Sequence, residues 1–290
     1  MKANRAFRIV FGVIVIALFC VYTYIHFSEA PFSEDAGKLP SEPAAAAPAE
    51  SAAPESESEP ESEPEPAPSD TPAPTVDPNS PEGKAAALGL PKPPEIDITS
   101  WEFLMANPSH NISDYTPQLV NYSTADMPAN IQSNQGMQFD ERIVEPMTRF
   151  ITAAGEAGLN VFLSSGYRSF DEQTYLYNRK LGQGYTEEQA KRIVAVPGTS
   201  EHQTGLVCDI TDRYYETKDP DILKTTELFK WMNDHCSEYG FILRYPEDKQ
   251  DITEVMYEPW HFRYVGADAA KYITENHLCY EEFYALYTDE

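Results

Sequence analysis

Hydrophobic and polar positions fall into three regimes along the 290-residue chain. Residues Ile9 to Ile25 form an apolar run without a charge, about 17 residues, which is at the short end for crossing a bilayer but long enough. From Glu29 to Glu95 about three quarters of the residues are Pro, Ala, Ser or Glu, and no period is visible. After residue 96 apolar residues recur with the spacings of regular structure. Ile143, Met147, Phe150, Ile151 and Ala154 return every three or four positions, which predicts a helix started by Asp140 and stopped by Gly158. Val161–Ser165 reads as a short buried strand. Ser169 and Glu172 make a capping box that opens a helix, and Thr186 with Gln189 repeats the logic for a helix through about Ala195. Residues 197–205 read as loop and Leu206–Ile210 as strand. A helix from about Thr225 to Tyr239 ends at Gly240. Phe241–Tyr245 and Val255–Val265 read as strands, Ala267–Leu278 as a helix, and residues 97–138 as irregular. Strands and helices mixed without regular alternation predict an α+β domain, its helices set against a small, mostly antiparallel sheet.

Charge sorts the same three regimes. Lys2, Arg5 and Arg8 precede the apolar run while Glu29, Glu34 and Asp35 follow it, so the positive-inside bias predicts a cytoplasmic N-terminus and an extracytoplasmic remainder. No small-x-small cleavage site follows the run before Ser28-Glu29-Ala30, and Phe19 stands where a lipoprotein signal before Cys20 needs a small residue. The expectation is an uncleaved single-pass membrane anchor over residues 1–28. Residues 29–96 are expected to be a disordered linker, too rich in Pro and like charges to bury a core and able to reach on the order of 200 Å when extended. Residues 97–290 are the expected folded domain. The net charge of −26 divides into +3 for the anchor, −12 for the linker and −17 for the domain. No concentrated basic surface is left for phosphates, so nucleic acid is excluded as a partner. Cys20 lies in the anchor, and Cys208, Cys236 and Cys279 cannot all pair within one chain. A Cys236–Cys279 bridge and buried free thiols are both open.

Five histidines lie in the domain, and two of them, His202 and His261, stand near acids in places that converge on one plausible site. His202 and Asp209 are separated by a loop and the start of a strand, and Glu258-Pro259-Trp260-His261 brings a second acid and a second histidine. A hydrolytic zinc site needs three protein ligands, an open position for water and a carboxylate to take a proton. His202, Asp209, His261 and Glu258 fill those roles. Alone, each has a blander reading: solvent-facing or core histidines, a turn aspartate, a surface glutamate. Strand alternation turns Cys208 away from Asp209 and into the core. His110 and His277 read as surface, and Trp260 and Tyr167 as pocket walls or core.

Together, Ser200-x-His202-x-x-Gly205-x-x-x-Asp209, Glu258-x-Trp260-His261-x-Arg263 and the earlier Gly166-Tyr167-Arg168-Ser169 resemble the VanY-type D-alanyl-D-alanine carboxypeptidases of the M15 metallopeptidase family. The resemblance spans about residues 97–280. It implies the hedgehog/D-Ala-D-Ala peptidase-like fold and zinc held by His202, Asp209 and His261, with Glu258 as catalytic base. It makes Arg168 the residue that stabilises the oxyanion or holds substrate. Ser200 and Gln173 are the substrate-contacting positions it implies, although as residues alone Gln173 could face solvent and Ser200 could cap a turn.

The implied reaction removes the terminal D-alanine from peptidoglycan stem peptides: Glu258 takes a proton from the attacking water and returns it to the leaving amine. The same metal kit would serve an L,D-carboxypeptidase acting on tetrapeptide stems. A non-catalytic peptidoglycan-binding module would be expected to lack a ligand or the base, and an endopeptidase would need a groove open at both ends.

Overall fold

Leu206, Val207, Cys208 and Ile210 make their segment almost continuously apolar, and such a strand belongs in the middle of a sheet covered on both faces. In the computed structural model, which describes residues 76–212 and 219–289, this segment is β5 (Val207–Thr211), buried throughout. It is the middle strand of a five-stranded sheet ordered β2-β4-β5-β7-β6, with β2 at Ile131–Ser133, β4 at Val161–Ser165, β7 at His261–Tyr264 and β6 at Phe241–Leu243. Only the β2–β4 pair is parallel. A separate antiparallel ribbon joins β1 (Leu119–Tyr122) to β3 (Met137–Asp140). The mixed α+β class with a mostly antiparallel sheet is therefore the observed one.

Helix α2 (Glu141–Glu156) covers one face of the sheet. Asp140 caps it, accepting from the Arg142 amide. Its stripe of Ile143, Met147, Phe150, Ile151 and Ala154 packs with Leu163, Cys208, Ile210, Phe241 and Phe262 in one core cluster. Alternation along β6 sends Ile242 to a second cluster on the other side, built with α6 (Ala267–Glu275), α7 (Tyr280–Tyr287) and Ala85 of α1 (Pro81–Ala87). Both expected capping boxes form, opening α3 (Phe170–Gly182) and α4 (Glu187–Ile193).

Several elements depart from the sequence reading. Residues 97–138 contain β1, β2 and β3, strands of three or four residues, too short to register a period. The expected strand Val255–Val265 is reduced to β7, because Pro259 offers no amide and the His261 amide turns back to the Glu258 carbonyl at 3.0 Å. The helix expected over 225–239 is α5 (Glu227–His235), which tightens into a 3-10 turn at Cys236–Tyr239. Residues 197–205 hold a 3-10 turn at Glu201–Thr204. Helix α4 stops at Ile193 and α6 at Glu275, while α7 follows where no element is expected.

The domain also begins before residue 97. Helix α1 forms within the segment assigned to the linker, Tyr272 Oη donates to the Pro91 carbonyl at 2.8 Å, and Tyr287 Oη donates to that of Pro94 at 2.7 Å. The apolar span Ile9–Ile25 and the linker up to residue 75 lie outside the described residues. Among the described residues no helix is long and apolar enough to cross a membrane. Cys208, Cys236 and Cys279 are free and buried, and burial pushes the Cys236 and Cys279 thiols up to about 12.

Candidate active site

The antiparallel register of β5 and β7 sets Asp209 directly opposite His261. Cross-strand neighbours on one face lie within side-chain reach, so the sheet alone joins two residues 52 positions apart. On the far side of β5, Ser165 pairs with Asp209 at an irregularity in β4. His202 arrives from the 3-10 turn, which Gly205 ends in the left-handed conformation at φ 72°. A side chain at Gly166 would collide with the Phe139 ring at 2.5 Å. The bare backbone there brings its carbonyl to within 2.6 Å of His202 Nδ1.

That contact fixes the chemistry of His202. Its Nδ1 donates to the carbonyl, leaving the Nε2 lone pair facing Asp209 Oδ2 at 3.6 Å. Burial, with Arg168 nearby, holds the imidazole well below its ordinary pKa, so it is neutral and ready to donate. His261 is turned the other way: Nε2 faces Glu201 Oε2 at 3.3 Å, and Nδ1 faces Asp209 Oδ1 at 3.1 Å. At that distance the imidazole and the carboxylate attract each other strongly. Burial opposes a positive His261, yet the Asp209 and Glu201 carboxylates outweigh it and raise its pKa to about 9.

One donor atom each from His202, Asp209 and His261 lies within 4.8 Å of the others, and all three residues are buried. In a tetrahedral zinc site neighbouring ligand atoms stand about 3.4 Å apart; here His202 Nε2 lies 3.6 Å from Asp209 Oδ2 and His261 Nδ1 lies 3.1 Å from Asp209 Oδ1, each imidazole facing its own carboxylate oxygen. The set is borderline in hardness, two imidazoles and one carboxylate, and the tautomers are set by outer partners as such ligands require. The residues fit the metal.

Glu258 stands at the turn into β7 with Oε2 3.5 Å from His261 Nδ1. It lines a cavity of about 280 Å³ together with Arg168, Gln173, Ser200, Tyr245 and Trp260. Arg168 reaches in from the β4–α3 connection. Its fork donates through Nη1 to Gln173 Oε1 at 2.8 Å and through Nη2 to Ser165 Oγ at 3.2 Å, while its amide donates to the His202 carbonyl. Gln173 does not face solvent: it is buried, and its amide nitrogen donates to the Ala195 carbonyl at 2.7 Å. Its immediate task is to hold Arg168. Ser200 is buried too and makes no capping hydrogen bond with its side chain. His277 is exposed, whereas His110 is half-buried with its ring edge-on to Tyr284.

The family profile described as VanY: D-alanyl-D-alanine carboxypeptidase matches residues 136–267, the stretch that builds this cavity. A D-alanyl-D-alanine carboxypeptidase of Enterococcus faecalis is 40% identical over 64% of this chain and 67% of its own length. The chain belongs to the VanY family. A putative carboxypeptidase YodJ of Bacillus subtilis is 45% identical over 46% of this chain, and there the match spans about half of the relative, 48% of its length. A vancomycin-resistance VanY D,D-pentapeptidase solved in complex with Zn(II) is similar to this VanY-family chain at 33% identity and TM-score 0.52, over 63% of this chain and 99% of the other. The LdcB LD-carboxypeptidase is similar at 32% identity and TM-score 0.56, over 67% and 94%. VanYB in complex with D-alanine-D-alanine is similar at 33% and 0.52, over 63% and 97%.

Two residues lining or bordering this VanY-family site were not singled out by the sequence. Tyr245 stands with its ring 4.9 Å from that of His261. Glu201 is fully buried; burial alone would raise its pKa, but the Arg244 and Arg263 guanidiniums hold the carboxylate well below its usual range. The signal for Glu201 was its place between two motif residues, together with Arg263 in the second motif.

Proposed function

We propose that the chain is a zinc D,D-carboxypeptidase that removes the terminal D-alanine of peptidoglycan stem peptides. The observation that carries this reading is the convergence of His202, Asp209 and His261, with Glu258 and Arg168 in the same cavity. Bound between the three ligands, zinc would supply Lewis-acid polarisation of the scissile carbonyl and acidify the attacking water. Glu258, outside the ligand set, accepts the proton from that water and passes it to the leaving amine. Arg168, held by Gln173 and Ser165, presents a fixed positive charge to the developing oxyanion or to the terminal carboxylate. Ser200 is placed to contact the peptide from the cavity wall. Tyr245 and Trp260 narrow the space around the reacting centre and exclude water. The presence of all three ligand residues together with the base Glu258 favours catalysis over a purely wall-binding role.

The N-terminal span of residues 1–28 is proposed as a single-pass anchor that keeps the catalytic domain outside the cell membrane, where the wall is. The positive-inside charge pattern supports it. The likeness to an LD-carboxypeptidase supports a second specificity, for the bond that ends a tetrapeptide stem. Incubating the full chain with pentapeptide and tetrapeptide stems and weighing the products separates the two. Loss of one D-alanine from the pentapeptide, abolished by a chelator and restored by zinc, is the expected result. Shortening of the tetrapeptide alone would replace the D,D reading by the L,D one.

A further inference from the structure

Neither the ligand spacing nor the catalytic motif gives Glu201 a task. Its side chain is completely buried, and its two oxygens are divided between different partners. Oε1 accepts from Arg244 Nε at 2.7 Å and from Arg263 Nη1 at 2.9 Å. Oε2 is turned to His261 Nε2 at 3.3 Å. The arginines are themselves fixed. Arg244 donates through Nη1 and Nη2 to Glu281 of α7 at 2.8 and 2.6 Å. Arg263 donates through Nη2 to the carbonyls of Glu102 and Leu104 at 2.9 and 2.8 Å, and through Nε to that of Tyr264 at 2.9 Å.

Such a network is poorly explained by stability alone. Taking several charges out of water costs about as much as their mutual attraction returns, and well-packed apolar side chains serve a core as well or better. What an apolar substitute could not supply is the second oxygen, aimed at the imidazole N–H. We propose that Glu201 is the positioning residue for His261: anchored through Oε1 by two arginines, it holds Nε2–H with Oε2 and thereby turns Nδ1 toward Asp209. This inference rests on His261 being a zinc ligand. A carboxylate behind a ligating imidazole fixes the ring and its tautomer and strengthens its donor nitrogen.

The test uses the full chain, with zinc as the probe. Zinc affinity is measured by chelator competition for the wild type, Glu201→Asp and Glu201→Gln, alongside thermal melting of the metal-free proteins. Glu201→Asp keeps the charge that the arginines need and withdraws the oxygen from His261 by one methylene. It should melt close to the wild type and bind zinc 10- to 100-fold more weakly, the usual loss for such an outer partner. Glu201→Gln should lose at least as much. Long-range ¹H–¹⁵N spectra of the zinc-loaded wild type, which depend on no variant folding, should show His261 bound through Nδ1 with a slowly exchanging proton on Nε2. Unchanged zinc affinity in a folded Glu201→Asp, or His261 bound through Nε2, overturns the role of Glu201 while leaving the zinc site in place. A wild-type chain that takes up no zinc overturns both.

Discussion

Glu258 is the residue on which the proposed chemistry turns, because it lies beside the ligand set without belonging to it, whereas the other carboxylate there, Glu201, is fully buried and held by Arg244 and Arg263. Glu258→Gln preserves shape and removes the ability to accept a proton. Turnover of a pentapeptide stem should fall by about 10² or more, the low end of a general-base contribution, while zinc content stays near one per chain by elemental analysis. A variant retaining a tenth of wild-type turnover would remove Glu258 from the base role. Arg168 gives a second prediction. Its fork spans Gln173 and Ser165 at once, and the point charge of a lysine cannot reproduce a planar fork. Arg168→Lys should therefore be nearly as damaging as Arg168→Ala, by roughly 2.7 to 4 kcal/mol, mainly in kcat, if the charge meets the oxyanion. A rise confined to KM would place it on the terminal carboxylate instead, and wild-type kinetics for either variant would take it out of the site. At this scale the gathering of His202, Asp209 and His261 was legible because few residue types bind zinc and the order of these three is distinctive. Glu201 was not, since a glutamate reads as surface until its arginines arrive from 43 and 62 residues away.

The element that delivers His202 is the 3-10 turn ending at Gly205, and its geometry depends on a residue without a side chain. Gly205 has φ 72°, and a Cβ there would lie 2.9 Å from the Asp140 amide nitrogen and 3.2 Å from Leu119. Gly205→Ala should combine left-handed strain with a backbone clash, costing roughly 1 to 3 kcal/mol. Gly136 supplies the control: its φ is 70°, but nothing lies within 4 Å of a Cβ. Gly136→Ala should therefore lower the melting temperature less, and equal shifts would mean that the Asp140 backbone gives way. Long elements with caps were the legible ones. Helix α2 repeats its apolar stripe over 16 residues, and the capping boxes of α3 and α4 announce themselves in four. Strands β1 to β3 rest on pairings that no local pattern encodes, and Pro259 shortened β7 by a rule that the apolar run around it concealed.

Across the whole domain, the position of its first residue is set by packing that composition disguises. Residues 81–96 share the Pro and Glu content of the linker, yet Ala85 is buried, Leu90 and Ile96 pack against the second core cluster, and Lys84 Nζ donates to the Ala285 and Thr288 carbonyls at the end of α7. A cation is favoured at that end of a helix. Two tyrosine hydroxyls, from Tyr272 and Tyr287, close on the carbonyls of Pro91 and Pro94. A segment docked more than nine-tenths of the time has a net free energy of at least about 1.4 kcal/mol in its favour. For a domain of this size each kcal/mol moves the melting temperature by about 2–4 °C. A chain starting at Asp97 should thus melt at least about 3–6 °C below one starting at Val76, with more of the α6–α7 surface open to hydrogen exchange. Zinc content and stem-peptide turnover should match, because Glu102 and Leu104, which hold Arg263 behind the site, are kept in both. Coincident melting curves would return residues 81–96 to the linker. A shorter chain that melts lower and also loses zinc would mean that the segment supports the metal site itself.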